Sequence, residues 1–203
     1  AASIDAQLLA LGYIPVRLEG PTRYDTAIKI ANALGNPHTV FEVDGTNFPD
    51  ALSAGPAAAI TQGAVLFTTG KSAAPATTAY LAAHPDDVRY AVGGPAVAAD
   101  SGASALAGVD RYATSVMVAQ AFFNAPSVVG VASGMKFPDA LSGGPTAALA
   151  GGPLLLVPPD GPLPGQTQNY LRQVLSTVLS GWVFGGTPSV STRTSSVPAA
   201  MPR

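Results

Sequence analysis

The 203-residue chain has no cysteine, which removes disulfides, thiolate nucleophiles and soft-metal sites together. Charge is scarce as well: 11% of the residues are charged, against about a quarter in ordinary globular domains. Net charge is −2 and no basic run occurs, so counterion release cannot drive tight binding to a nucleic-acid backbone, and no nucleic-acid partner is expected. No apolar stretch reaches the roughly 18 residues that a membrane-spanning helix requires, because Gly, Pro, Thr and Gln interrupt every run. Catalytic signatures are missing too: there is no Gly-x-Ser-x-Gly elbow, no Gly-x-x-x-x-Gly-Lys-Ser/Thr loop and no Gly-x-Gly-x-x-Gly fingerprint. Neither His38 nor His84 has a metal-ligand partner in the sequence. No cofactor, no metal and no enzymatic activity are expected.

What the chain does have is apolar residues, at 47%, with abundant Ala, Gly and Pro, and these must be packed. It also states one phrase twice. Gly20-Pro-Thr-Arg-Tyr-Asp-Thr26 returns as Gly108-Val-Asp-Arg-Tyr-Ala-Thr114, and Gly45-Thr-Asn-Phe-Pro-Asp-Ala-Leu-Ser53 returns as Gly134-Met-Lys-Phe-Pro-Asp-Ala-Leu-Ser142. The offsets are 88 and 89 residues, and 13 of 25 positions agree without a gap between 45–69 and 134–158. Gly93-Gly94 recurs as Gly185-Gly186 after 92. A tandem duplication of this length favours two units of about 90 to 100 residues each.

Within each copy the periodicity alternates. Helical spacing follows the Arg-Tyr phrase, with Thr22 and Asp110 as N-caps and a capping-box spacing at Thr22 and Asp25. Short β-branched runs at 39–44 and 127–132 read as buried strands that end in the Gly-x-x-Phe-Pro-Asp turn. Asp50 and Asp139 then stand where an N-cap belongs, ahead of a small-residue helix with a kink or restart at Pro56 and Pro145. Strands at 64–68 and 153–157, helices at 74–84 and 165–180, and strands at 88–92 and 181–184 complete the copies. Such alternation predicts right-handed βαβ units and a parallel sheet covered on both faces. Residues 3–11 read as helix and 14–18 as strand, together resembling the closing segment that precedes a Gly-x-x-Arg-Tyr phrase. Residues 1–3 have the small side chains that signal cleavage leaves, and 189–203, rich in Ser, Thr and Pro, read as a tail or linker.

Gly-x-x-Arg-Tyr-x-Thr, Gly-x-x-Phe-Pro-Asp-Ala-Leu-Ser and a closing Gly-Gly, in fixed order and twice over, with Gly-x-x-Leu-Leu in the second copy and Gly-x-x-Leu-Phe in the first, resemble the type 2 cell-wall-binding repeat of Gram-positive surface and secreted proteins, including S-layer-associated ones. The resemblance covers about residues 17–190. It implies tandem Rossmann-like or Toprim-like α/β modules, usually three around a pseudo-threefold axis, that hold a secreted protein noncovalently to an anionic wall polysaccharide. Here there are two full copies, 17–104 and 105–190, with 1–16 as the tail of a preceding repeat and 191–203 as a linker. Toprim chemistry does not carry over: the only glutamates are Glu19 and Glu42, and no Asp-x-Asp pair occurs.

Arg23 and Arg111 are the sharpest candidate ligand residues. Each follows a helix N-cap, where the helix dipole disfavours a cation by roughly 0.3–1 kcal/mol. Either a phosphate or uronate of the wall polymer offsets that cost, or an internal salt bridge to Asp50 or Asp139 does. Tyr24 and Tyr112 either stack on sugar rings or pack inward. Asp50 and Asp139 are helix caps first and ligands second. Asn47 and Lys136 occupy the variable position of a turn at the carboxyl end of a strand, where open α/β sheets bind ligands, and so are candidates for specificity. Three functions compete: a non-catalytic wall-binding anchor in the extracellular wall, a surface module that assembles with its own copies as dimer or trimer, and a small-ligand α/β protein.

Overall fold

In the computed structural model, which describes residues 3–192, helices and strands alternate along the chain as the periodicity predicts. The leading helix is α1 (Ile4–Ala10). The first copy runs α2 (Arg23–Ala33), β1 (Thr39–Asp44), α3 (Pro49–Ile60), β2 (Ala64–Thr68), α4 (Pro75–Ala83), β3 (Val88–Val92), α5 (Gly94–Ala99) and β4 (Ser104–Leu106). The second runs α6 (Arg111–Phe122), β5 (Val128–Ser133), α7 (Pro138–Leu149), β6 (Leu154–Val157), α8 (Gly165–Gln173) and β7 (Ser180–Phe184). All pairings in both sheets are parallel, in the orders β2-β1-β3-β4 and β6-β5-β7. The expected class is borne out: small parallel sheets flanked by helices.

The repeated phrase accounts for the local structure. Thr22 caps α2 through the Asp25 amide while the Asp25 carboxylate accepts from the Thr22 amide, and Asp110 caps α6 through the Ala113 amide. A cap of this kind contributes about 1 kcal/mol. The Gly20 and Gly108 amides donate to Thr26 Oγ1 and Thr114 Oγ1 at 3.1 and 3.0 Å, so the chain enters both helices identically. β1 and β5, central in their sheets, are almost wholly buried, as strands covered on both faces must be.

Four expectations need correction. Asp50 and Asp139 are not caps: Phe48 and Phe137 occupy the cap position, Pro49 and Pro138 begin the helices, and the aspartates follow at the second turn position. Proline fits there because its missing N–H would have had no helical partner. Pro56 and Pro145 do not interrupt their helices, which run unbroken to Ile60 and Leu149. Residues 14–18 form no strand and are largely exposed. Finally, α5 and β4 follow the Gly93-Gly94 turn, where the copy was expected to close; six and three residues are too few to set a readable period. Residues 1–2 and 193–203, which hold the start of the expected preceding-repeat tail and most of the expected C-terminal tail or linker, lie outside the described residues.

The two copies meet through α3, which packs against α6 and α7. Pro56 lies over Gly144, where an added Cβ would stand 3.6 Å from the ring. Leu52 joins Ala132, Ala140, Leu154 and Leu156 of the second copy, a burial that contributes about 2 kcal/mol. In return Val118 and Phe123 enter the core of Phe41, Val43 and Val92, and Phe122 sets its ring 5.1 Å from Phe41 and 4.9 Å from Tyr90.

Candidate functional site

The two Gly-x-x-Phe-Pro-Asp turns leave the carboxyl ends of β1 and β5, the end of a parallel sheet that serves ligands in open α/β folds. In the first turn Asp44, 7% exposed, accepts from the Thr46 amide at 2.8 Å, the Thr46 hydroxyl at 2.7 Å and the Gly70 amide at 3.1 Å. Its counterpart Ser133 accepts only from the Met135 amide, at 3.2 Å. The first turn is therefore braced by a carboxylate and the second by a single hydroxyl.

Each arginine of the Arg-Tyr phrase reaches its own turn. Arg23 donates through Nη1 to the Gly45 carbonyl at 2.8 Å, and Arg111 to the Gly134 carbonyl at 2.6 Å. Neither forms an ion pair among the described residues. A carbonyl engages one edge of the guanidinium without neutralising it, and the Arg111 charge is felt by Asp50 across the copies.

Asp50 and Asp139 sit against the closing glycines. A Cβ at Gly93 would overlap the Asp50 carboxylate, and one at Gly185 would stand 2.6 Å from Asp139 Oδ2. Burial raises the Asp50 pKa to about 6; the Arg111 charge of the second copy pulls it down and Asp44 pushes it further up. The cross-copy relation between arginine and aspartate thus exists as a field, without the direct bond envisaged from sequence.

Tyr24 and Tyr112 pack inward. Tyr24 meets Phe67 edge-on with ring centres 6.5 Å apart, and Tyr112 lies against the cluster of Leu52, Ala132 and Leu156. Asn47 turns back on its own chain, its Oδ1 accepting from the Phe48 amide at 3.0 Å, and is exposed; Lys136 is exposed too.

What sequence reasoning missed is that the two turns touch. Phe48 and Phe137 pack at 5.6 Å with planes tilted by 58°, and Asn47 and Lys136 each immediately precede one of the two rings in the chain. Phe137 keeps 48% and Met135 54% of their surfaces exposed there. The phenylalanine stands in both copies of the phrase, which was the available signal; that the copies would face each other was not.

A family model described as Cell wall binding domain 2 (CWB2) matches residues 17–102 and again 105–195. The chain belongs to the CWB2 family. A CWB2 relative, the N-acetylmuramoyl-L-alanine amidase LytC of Bacillus subtilis (strain 168), is 27% identical over 193 residues, 92% of this chain and 38% of the relative. The Amidase enhancer of the same organism is 31% identical over 154 residues, 71% of this chain and 22% of the relative. The chain thus spans well under half the length of the curated relatives it matches. Two solved structures share the CWB2 fold: Cwp8 from Clostridium difficile, with TM-score 0.76, 23% identity and coverage of 90% of this chain and 33% of that one, and Cwp6 from the same organism, with TM-score 0.73, 22% identity and coverage of 86% and 30%. A tandem pair of CWB2 repeats is a cell-wall-binding unit of Gram-positive bacteria, associated with the wall. No helix among the described residues is long and apolar enough to cross a membrane.

Proposed function

We propose that this chain is a non-catalytic module that retains a secreted protein on an anionic polysaccharide of the Gram-positive wall, with 17–104 and 105–190 as its two binding repeats. The observation that carries the reading is the Phe48–Phe137 contact, which joins the two turns into one exposed surface. Lys136 and the free edges of the Arg23 and Arg111 guanidinium groups supply cations at the strand ends, and half-exposed Phe137 supplies an apolar face for a sugar ring. Asn47 and Lys136, which differ between otherwise similar turns, set specificity; Asp50 and Asp139 position the turns, and Tyr24 and Tyr112 pack beneath them.

Sedimentation with purified wall, before and after the secondary polymer is stripped, tests this. Retention is expected on intact wall only, and Lys136→Ala, or Arg23→Ala with Arg111→Ala, should abolish it. Equal retention on stripped wall would transfer the binding to peptidoglycan. A second reading, an assembly module, is favoured by the unequal exposure of equivalent residues: Leu52 is 7% exposed and its counterpart Leu141 56%.

A further inference from the structure

Glu42 stands in the middle of β1, 1% exposed, and its Oε1 has no hydrogen-bond partner among the described residues. Its strand neighbours, Leu66 on β2 and Ala91 on β3, carry no polar side chain. A buried polar atom left unpaired is uncommon and needs a reason. Asp100, which the Glu42 carboxyl faces, already has a donor on each oxygen: the Gly102 amide reaches Oδ1 at 2.8 Å and Arg89 Nη1 reaches Oδ2 at 2.6 Å. One guanidinium therefore serves one of two carboxyl groups. No ion pair reaches Glu42 among the described residues.

Glu42 also forms part of the wall of an open cavity of about 420 Å³ between α4, β3 and the end of α5. Leu81, Ala82 and Ala99 give the cavity apolar sides. Its other polar groups present acceptors: Thr78 directs its hydroxyl proton to the Ala74 carbonyl at 3.1 Å. His84 Nδ1, 2.8 Å from the Tyr80 carbonyl, carries its proton there and leaves Nε2 of the neutral ring as an acceptor. Among the described residues no three His, Asp or Glu side chains are grouped to hold a metal ion, so a bare metal finds too few ligands. The second copy repeats the scaffold without the polar set. Thr77 and Tyr80 recur as Thr167 and Tyr170, but Val131, Gly181 and Val174 stand at the places of Glu42, Arg89 and His84. The fold forms without these three side chains, so their presence in the first copy answers to something other than folding.

We propose that this cavity binds a small primary amine, its ammonium group donating to Glu42 and its carbon skeleton lying against Leu81, Ala82 and Ala99. The ammonium is the second cation that two carboxylates need, beside Arg89. Burial raises the Glu42 pKa to about 8, so the carboxyl proton passes to solvent as the ammonium enters, one proton for one cation. None of the lining residues belongs to either Phe-Pro-Asp turn. The site is therefore separate from the proposed wall-binding surface and fails separately from it.

Titration of the purified chain with n-butylamine, followed by the protein's amide NMR signals, tests this. Shifts at Ala82, Ala99 and Asp100 should saturate with a Kd on the order of 1 mM, within the reach of so small a ligand, while n-butanol and butyrate, of like size but without the cation, produce none. Glu42→Gln keeps the shape, removes the carboxylate and should weaken binding about tenfold or more. Ala82→Trp, at an exposed position on the rim, leaves Glu42 in place and should block the cavity at an unchanged melting curve, so the test survives a Glu42 variant that does not fold. Glucosamine is titrated in parallel, with N-acetylglucosamine as its uncharged partner. Saturation by butylamine alone assigns an aliphatic amine and saturation by glucosamine an amino sugar; either upholds the site. An equal response to butanol, or no saturable shift with either amine, would overturn the proposal. So would unaltered butylamine affinity in folded Glu42→Gln.

Discussion

The carboxyl group of Glu42, buried in the first copy, faces that of Asp100, whose Oδ2 lies 2.6 Å from the Arg89 guanidinium. Glu42 is 1% exposed, and burial first, then Asp100, raises its pKa to about 8; Asp100 is held below its ordinary value. Burial therefore favours the neutral form of Glu42 at neutral pH, with the charge kept on Asp100 beside Arg89. The second copy has Val131 at this place and needs neither partner.

A pH dependence follows. The unfolded chain releases the Glu42 proton near 4.5 and the fold holds it to about 8, so the folded state binds more protons between those values. Stability from this group is intact below 4.5, declines as pH rises, and is fully lost above 8. Glu42→Gln keeps a donor toward Asp100 without a titration. Its melting temperature relative to wild type should climb from pH 5 to pH 9 by an amount on the order of a few kcal/mol, at about 2–4 °C for each. Parallel melting profiles for the two proteins would refute the assignment.

Gly93 is a tighter constraint than Gly185. Both have positive φ, at 89° and 114°, but Gly93 is buried with the Asp50 carboxylate directly against it, whereas Gly185 is exposed. Gly93→Ala should cost more than about 2 kcal/mol, combining backbone strain with displacement of Asp50. Gly185→Ala should cost about half as much. Urea denaturation midpoints compare them directly.

Helix entry is a smaller effect of known size. Thr22→Ala removes the capping-box oxygen at α2 and Asp110→Ala the cap at α6, and each should lower stability by about 1 kcal/mol with no loss of wall retention. A loss of retention in either variant, at an intact fold, would place the helix start in the binding surface.

Arg111 and Arg23 offer a contrast within one motif. Arg111 is partly buried at the junction and Arg23 exposed, although both hold a turn carbonyl. Arg111→Ala should destabilise by about 1.5–3 kcal/mol, the range for a hydrogen bond to a charged group, and Arg23→Ala by less. Arg111→Ala should also raise the Asp50 pKa above its value of about 6, because the one charge that lowers it is gone. Titration of Asp50 by NMR reads this shift.

Much of the fold was legible because the duplication states each element twice. β1, β2 and β3 fall where the β-branched runs predicted them, and the caps at Thr22 and Asp110 form as their spacing required. The Asp50 and Asp139 caps failed because Phe-Pro-Asp begins its helix at proline, one residue before the acidic side chain. Residues 16–18 and β4 show the limit most plainly. Equivalent positions become strand or loop according to whether a sheet edge is within reach, and that is a property of the neighbour. The candidate surface was half legible for the same reason: each turn is written in one copy, but the meeting of Phe48 with Phe137 belongs to the packing of two.

That meeting has a further consequence for any extended ligand. Under the proposed wall-binding reading, a strand laid across the aromatic contact would engage both turns, so the second engagement would be intramolecular and draw on effective concentration in place of fresh encounter. Modest attraction at each turn would then suffice for long residence, and grip would grow with ligand length until both turns are spanned, after which extra length would add little.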